Sequence, residues 1–164
     1  MHHPSSKEER MKNLTETQKA YIAGLLDGEG CIGIDKNKSQ ASIWNYDFKI
    51  RIIITNSYSD VLFWIKEITG VGCVYLSKGA FKPNWRPIHR WQIVSEQARN
   101  FLIQIYPYLK IKKEIADIVL QLPVLQPQAK KFGRTKIEYN NQNRIFDLAK
   151  FKNRRGVNLL LKKE

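Results

Sequence analysis

The sequence predicts an α+β fold, one domain of order αββαββα whose sheet is apolar on one face and polar or basic on the other, with helices packed behind the apolar face. Period-two alternation in the extended segments, apolar stripes at helical spacing between them, and glycine or proline stops at the junctions predict it.

The first helix is expected over Gln18 to Gly28, where Ile22, Leu25 and Leu26 fall at helical spacing, Thr15 or Thr17 offers an N-cap, and Gly28 and Gly30 supply the stop. Cys31 to Asp35 reads as a strand. After a polar loop, Asp47 to Asn56 alternates, with Phe48, Ile50, Ile52 and Ile54 on one face and Asp47, Lys49, Arg51 and Ile53 on the other. Ser57 to Thr69 carries Val61, Ile65 and Ile68 on a helical stripe, and Gly70-Val71-Gly72 ends it before an extended run from Cys73 to Ser77. A loop with Pro83 and Pro87 leads to a fourth strand over Ile88 to Ser95, with Trp91 and Ile93 opposite Arg90 and Gln92. Two further helices follow, one over Glu96 to Tyr106 and one on the stripe Ile111, Ile115, Ile118, Val119 and Leu122, separated by Pro107 and stopped by Pro123. Beyond it, Asn141 to Asn153 is expected to hold a short helix around Ile145, Leu148 and Ala149. The predicted organisation is a disordered leader at 1–12, a core domain at 13–123 and a partly helical basic extension at 124–164.

With 164 residues the chain is long enough for one well-filled core. Its 28 basic against 15 acidic side chains give a formal charge of +13, which points to a polyanionic partner, nucleic acid first. The excess is uneven: residues 110–164 hold 14 basic and 5 acidic side chains, residues 1–109 hold 14 and 10. Cys31 and Cys73 are far apart in apolar strand-like runs, so buried thiols are expected, with no disulfide framework or thiolate metal site. Three histidines, two at the N-terminus, do not build a His-based nuclease centre. Apolar runs fall short of a membrane span and no signal-peptide core is present, so a soluble, intracellular protein is expected, in cytoplasm, nucleoid or organelle matrix.

The segment Tyr21-Ile22-Ala23-Gly24-Leu25-Leu26-Asp27-Gly28-Glu29-Gly30 concentrates the chemistry. Ala20, Gly24 and Gly28 recur every four residues and make a ridge poor in side chains, along which two helix backbones can approach closely. Glu29 ends the helix where partial negative charge and free carbonyls collect, a poor place for a carboxylate unless a cation joins it.

This segment resembles the LAGLIDADG motif of homing endonucleases, and the order of helices and strands from about Thr15 to Leu122 agrees with that family. The resemblance implies an antiparallel, saddle-shaped sheet with helices on one face, and two motif helices side by side, each delivering its last acid to a cleft over the DNA minor groove. A chain with one motif achieves this as a homodimer. It further implies a double-strand break in a long, partly palindromic DNA target, by Mg²⁺- or Mn²⁺-dependent phosphodiester hydrolysis. Glu29 and the Gly28 carbonyl are the expected metal ligands, a metal-bound water is the attacking group, and Ala20, Gly24, Asp27 and Gly28 lie at the dimer interface. Asp27 matches the motif's structural acid. Lys112, or its neighbours Lys110 and Lys113, matches a basic position near the scissile phosphate. Asn56 falls where relatives have a polar residue arranging water, or it is an ordinary turn former. The turn Ser57-Tyr58-Ser59-Asp60 lacks an arginine that some relatives carry there.

For DNA contacts the expected set is Lys49, Arg51, Arg90 and Gln92 on the strands and Lys36, Lys38, Lys78, Lys82 and Arg86 in adjoining loops. Arginine and glutamine suit base edges, and the lysines suit phosphates. Lys130, Lys131, Arg134, Lys136, Arg154 and Arg155 form a further basic set in the extension. The same fold without cutting, as an RNA maturase or a binding protein, is the alternative.

Overall fold

The computed structural model describes residues 11–40, 42–77, 86–123 and 134–154. Along the chain run α1 (Glu16–Glu29), β1 (Gly30–Lys38), β2 (Tyr46–Asn56), α2 (Ser59–Thr69), β3 (Cys73–Leu76), β4 (His89–Val94) and α3 (Ser95–Ile105). A 3-10 turn at Tyr106–Tyr108, α4 (Lys113–Leu120) and α5 (Lys136–Lys152) follow. The expected αββαββα order holds. The strands form one four-stranded sheet in the order β1-β2-β4-β3, with β4 antiparallel to both β2 and β3.

By compactness the chain divides into two units, the first being Met1–Cys31 with Arg51–Ile111. Its α1 begins with a reciprocal cap: Thr15 Oγ1 accepts the Gln18 N–H at 3.3 Å and Gln18 Oε1 accepts the Thr15 N–H at 2.9 Å, which decides for Thr15 over Thr17. The helix ends where the Gly30 N–H meets the Leu26 carbonyl. A side chain at Gly30 would lie 2.8 Å from that same carbonyl, so glycine is required there by the chain's own packing. Gly70 ends α2 in the left-handed conformation, φ 70°.

The register of β4 sorts the sheet face by face. Ile52 faces Ile93 and Ile54 faces Trp91, all buried under α2 and α3, and the Trp91 and Phe101 rings meet at 5.1 Å. Trp91 Nε1 donates to the Val71 carbonyl at 3.2 Å, which satisfies the one polar atom of that indole. On the opposite face lie Arg51, Ile53, Thr55, Cys73, Tyr75, Arg90 and Gln92. Segment 11–14 belongs to this unit as well: Leu14 is buried and the Lys12 N–H donates to the Thr69 carbonyl at 2.9 Å.

The second unit comprises Ile32–Ile50 and Lys112–Glu164. Helix α5 starts ahead of the expected Asn141, at Lys136, because Thr135 and Glu138 form a second reciprocal cap, and Gln142, Ile145 and Ala149 make its buried stripe. Arg134, expected among the phosphate contacts, is buried instead. Its guanidinium meets Gln142 Oε1 at 2.7 Å, the Tyr46 carbonyl at 2.7 Å, Ser42 Oγ at 3.1 Å and the Asp47 carboxylate. Five donors in a planar fork suit such a hub, where a lone charge would be costly. Trp44 stacks on Tyr139 at 5.2 Å and donates Nε1–H to the Arg134 carbonyl.

Cys31 and Cys73 are both exposed, contrary to the expectation of buried thiols. Cys31 lies at the exposed start of β1, ahead of the continuously buried run from Ile32 to Ile34, and Cys73 shares a face with Gln92. Ile53 departs in the other direction and is buried although it lies on the basic face.

Candidate active site and nucleic-acid interface

The end of α1 exposes Ala20, Gly24, Gly28 and Glu29, while Ala23 and Asp27, one helical turn apart on the adjacent stripe, are buried. Among the described residues, a Cβ added to Gly24 or Gly28 meets nothing within 4 Å. Glycine is thus not required there by contacts with those residues, although helix glycine costs about 1 kcal/mol relative to alanine.

Asp27, expected at the dimer interface, is buried within its own chain. Its carboxylate turns inward, and Oδ2 accepts the backbone N–H of Lys110 at 2.7 Å and of Ile111 at 3.1 Å. The acid thereby satisfies two amides in the segment leading to α4, the structural role expected from the motif.

Glu29 is the last residue of α1, exposed, and no basic residue lies in that last turn. Among the described residues it has no cationic partner, although it adds a full negative charge to the negative end of a helix dipole. Among the described residues no three His, Cys, Asp or Glu side chains gather around a metal-sized space. The chain by itself therefore offers one carboxylate and the neighbouring end-of-helix carbonyls. This all-oxygen, incomplete donor set fits a hard divalent cation that takes its remaining ligands from substrate phosphates, water or a second chain.

Lys112 stands at the N-cap of α4, followed by Lys113 at its first position. Two cations at the positive end of a helix oppose the dipole, whereas Glu114 in the same first turn favours it. Asn56 closes β2, where its Oδ1 accepts the Tyr58 N–H at 2.8 Å and shapes the turn into α2. That bond favours the turn-forming role left open by the sequence.

The polar sheet face brings Arg51, Arg90 and Gln92 together as expected. Arg90 keeps a buried Nε without a hydrogen-bond partner among the described residues. Tyr75, which the sequence reading missed, joins this face and donates its hydroxyl to Gln92 Oε1 at 2.6 Å. Its signal was the alternation of Cys73 and Tyr75 through β3, too short to set a register by pattern alone. Arg86 is exposed ahead of β4, and Lys78 and Lys82 lie outside the described residues, as do Lys130, Lys131 and Arg155.

In the second unit Lys38 and Lys49 are exposed, and so are Lys136 and Arg154. Lys36 is not directed to solvent: its ammonium donates to Asn143 Oδ1 at 2.7 Å and stands over the Tyr46 ring at 4.8 Å, with Phe48, Tyr139 and Phe146 next around it. Its charge binds α5 to the β1–β2 segment.

A family model described as LAGLIDADG endonuclease matches residues 22–120. The chain belongs to the LAGLIDADG endonuclease family. DNA endonuclease I-CreI of Chlamydomonas reinhardtii is 25% identical over 116 residues, which cover 68% of this chain and 65% of I-CreI. Among solved structures, the homing endonuclease I-CvuI in complex with the I-CreI target superposes with a TM-score of 0.67 at 21% identity, covering 83% of this chain and 82% of that one. The archaeal intron-encoded homing endonuclease I-Vdi141I, complexed with DNA, gives a TM-score of 0.67 at 16% identity and covers 86% and 87%. At these identities the structural likeness establishes the LAGLIDADG fold.

Proposed function

We propose that the chain is a site-specific DNA endonuclease that acts as a homodimer and cuts both strands of a long, partly palindromic duplex. The observation that carries this reading is the run from Gly24 to Glu29: two helix glycines with open space beside them lead directly to an exposed, unneutralised acid. A second copy of α1 against the glycine ridge brings two such acids together at one duplex. Family membership and the DNA complexes of I-CvuI and I-Vdi141I support DNA as the substrate.

Glu29 and the Gly28 carbonyl are the groups that would hold Mg²⁺ or Mn²⁺. When bound there, such a cation supplies an activated water and charge stabilisation at the leaving 3′-oxygen. Lys112, supported by its match to the family's basic position, steadies phosphate charge, and Arg51, Arg90 and Gln92 meet base edges from the sheet. Asp27 fixes the backbone just ahead of Lys112 through its two amide bonds.

The test is Glu29→Gln assayed with Mg²⁺ and Mn²⁺ on a duplex selected from a randomised library. Retained binding with cleavage abolished is expected, and retained cleavage overturns the role of Glu29. A wild-type protein that binds the selected duplex without cutting it in either metal overturns the nuclease reading in favour of a binding protein on the same fold.

A further inference from the structure

A neighbour occupies one end of the Gln92 amide on the sheet face. Tyr75 sits diagonally across the β3–β4 pair, where Cys73 faces Gln92 and Tyr75 faces Arg90. Its hydroxyl donates to Gln92 Oε1 at 2.6 Å, a short O–H···O bond, on a ring that remains 40% exposed. Burial does not enforce this bond, since both partners reach water. On the other side of Gln92, β2 offers Ile53, an apolar and buried residue that presents no competing polar side chain.

A free glutamine amide is ambivalent: it accepts at Oε1, donates twice at Nε2, and uses both ends when it reads adenine. Anchored through Oε1, it presents its NH₂ group outward. In the major groove, guanine and thymine offer the keto acceptors O6 and O4, whereas adenine and cytosine offer amino hydrogens at those positions.

We propose that Tyr75 is a specificity-determining positioning residue: by holding Gln92 through its oxygen, it makes Gln92 a hydrogen-bond donor that selects a keto base at one position of each half-site. The inference rests on the reading of this face as the DNA-contacting surface. Tyr75→Phe removes the hydroxyl while keeping the ring, and the amide then turns over to accept adenine.

The experiment is deep sequencing of bound and cleaved members of a randomised duplex library for wild type, Tyr75→Phe and Gln92→Ala. Expected for wild type is a keto preference of about tenfold at one base pair per half-site, the lower range of a single good contact. Tyr75→Phe brings adenine at that position to within about threefold of the keto bases, with other positions unchanged as the control for folding. Gln92→Ala abolishes the preference there altogether. A keto preference that survives Tyr75→Phe, or a position indifferent to Gln92→Ala, overturns the inference and leaves the nuclease reading standing. Absence of sequence-selective binding by wild type overturns that reading itself, and the inference with it.

Discussion

Asp27 Oδ2 accepts the Lys110 backbone N–H at 2.7 Å, and through the same oxygen the Ile111 N–H, so the buried acid of the motif helix holds the strand of backbone that leads to α4. Asp27→Ala leaves two amides without their acceptor and is expected to cost about 3 kcal/mol, at the upper end for hydrogen bonds to a charged group. Asn keeps an oxygen in place, so Asp27→Asn is expected to cost less than half as much. Urea denaturation of both variants measures the ranking, and equal losses would assign the effect to charge in place of these two bonds.

Gly24 and Gly30 make opposite predictions. Gly24→Leu fills open space and improves helix propensity by about 0.8 kcal/mol, so the single chain keeps its stability while self-association is lost. Gly30→Ala drives a methyl group toward the Leu26 carbonyl and side chain and is expected to cost about 1–3 kcal/mol. Sedimentation velocity with equilibrium unfolding separates the two, and a Gly24→Leu chain that still dimerises refutes packing along this ridge.

Lys36 and Lys49 test the division of the basic residues. Lys36→Ala loses the ammonium over Tyr46 and its bond to Asn143, and is expected to lower stability by about 1 kcal/mol while leaving the salt dependence of DNA binding unchanged. Lys49→Ala, at an exposed position, is expected to leave stability alone and reduce the slope of log K against log salt by about 1.8, one phosphate contact from each chain of the proposed homodimer. Binding titrations across a salt series decide the matter, and a lowered slope for Lys36→Ala would return that residue to the phosphates.

The Glu138 carboxyl is held below the usual glutamate range, chiefly by the Thr135 backbone N–H and then by its hydroxyl. A depressed folded-state value means that this stabilisation is complete above the unfolded value of about 4.3 and is lost as the pH falls through and below it. Helix α5 is therefore expected to loosen on the acid side of about pH 4.3, and Glu138→Gln, which keeps an acceptor for the cap, to show a weaker dependence there. Circular dichroism melts at a series of acid pH values provide the comparison, and identical pH profiles would remove Glu138 as the cause.

The αββαββα order was legible because Gly28 and Gly30 mark the passage into β1, Gly70 and Gly72 the passage into β3 and Pro87 the approach to β4, while β2 states its period over Phe48, Ile50, Ile52 and Ile54. The position of Glu29 was legible for the same reason, since Gly28 and Gly30 frame a helix end. Three-dimensional partnerships were not. Arg134 and Lys36 carry the same formal charge as Lys49, and only the side chains gathered by α5 turn one into a buried hub and the other into an aromatic contact. Likewise nothing in the local pattern pairs Tyr75 with Gln92, because their bond follows from the β3–β4 register. The start of α5 was underread because the Thr135–Glu138 cap lies ahead of the apolar stripe that includes Ile145 and Ala149.

The pairing of two α1 helices proposed along the glycine ridge would also govern how activity scales with abundance. A centre assembled from two identical half-centres would form in proportion to the square of chain concentration while monomers predominate, so halving expression would reduce it fourfold.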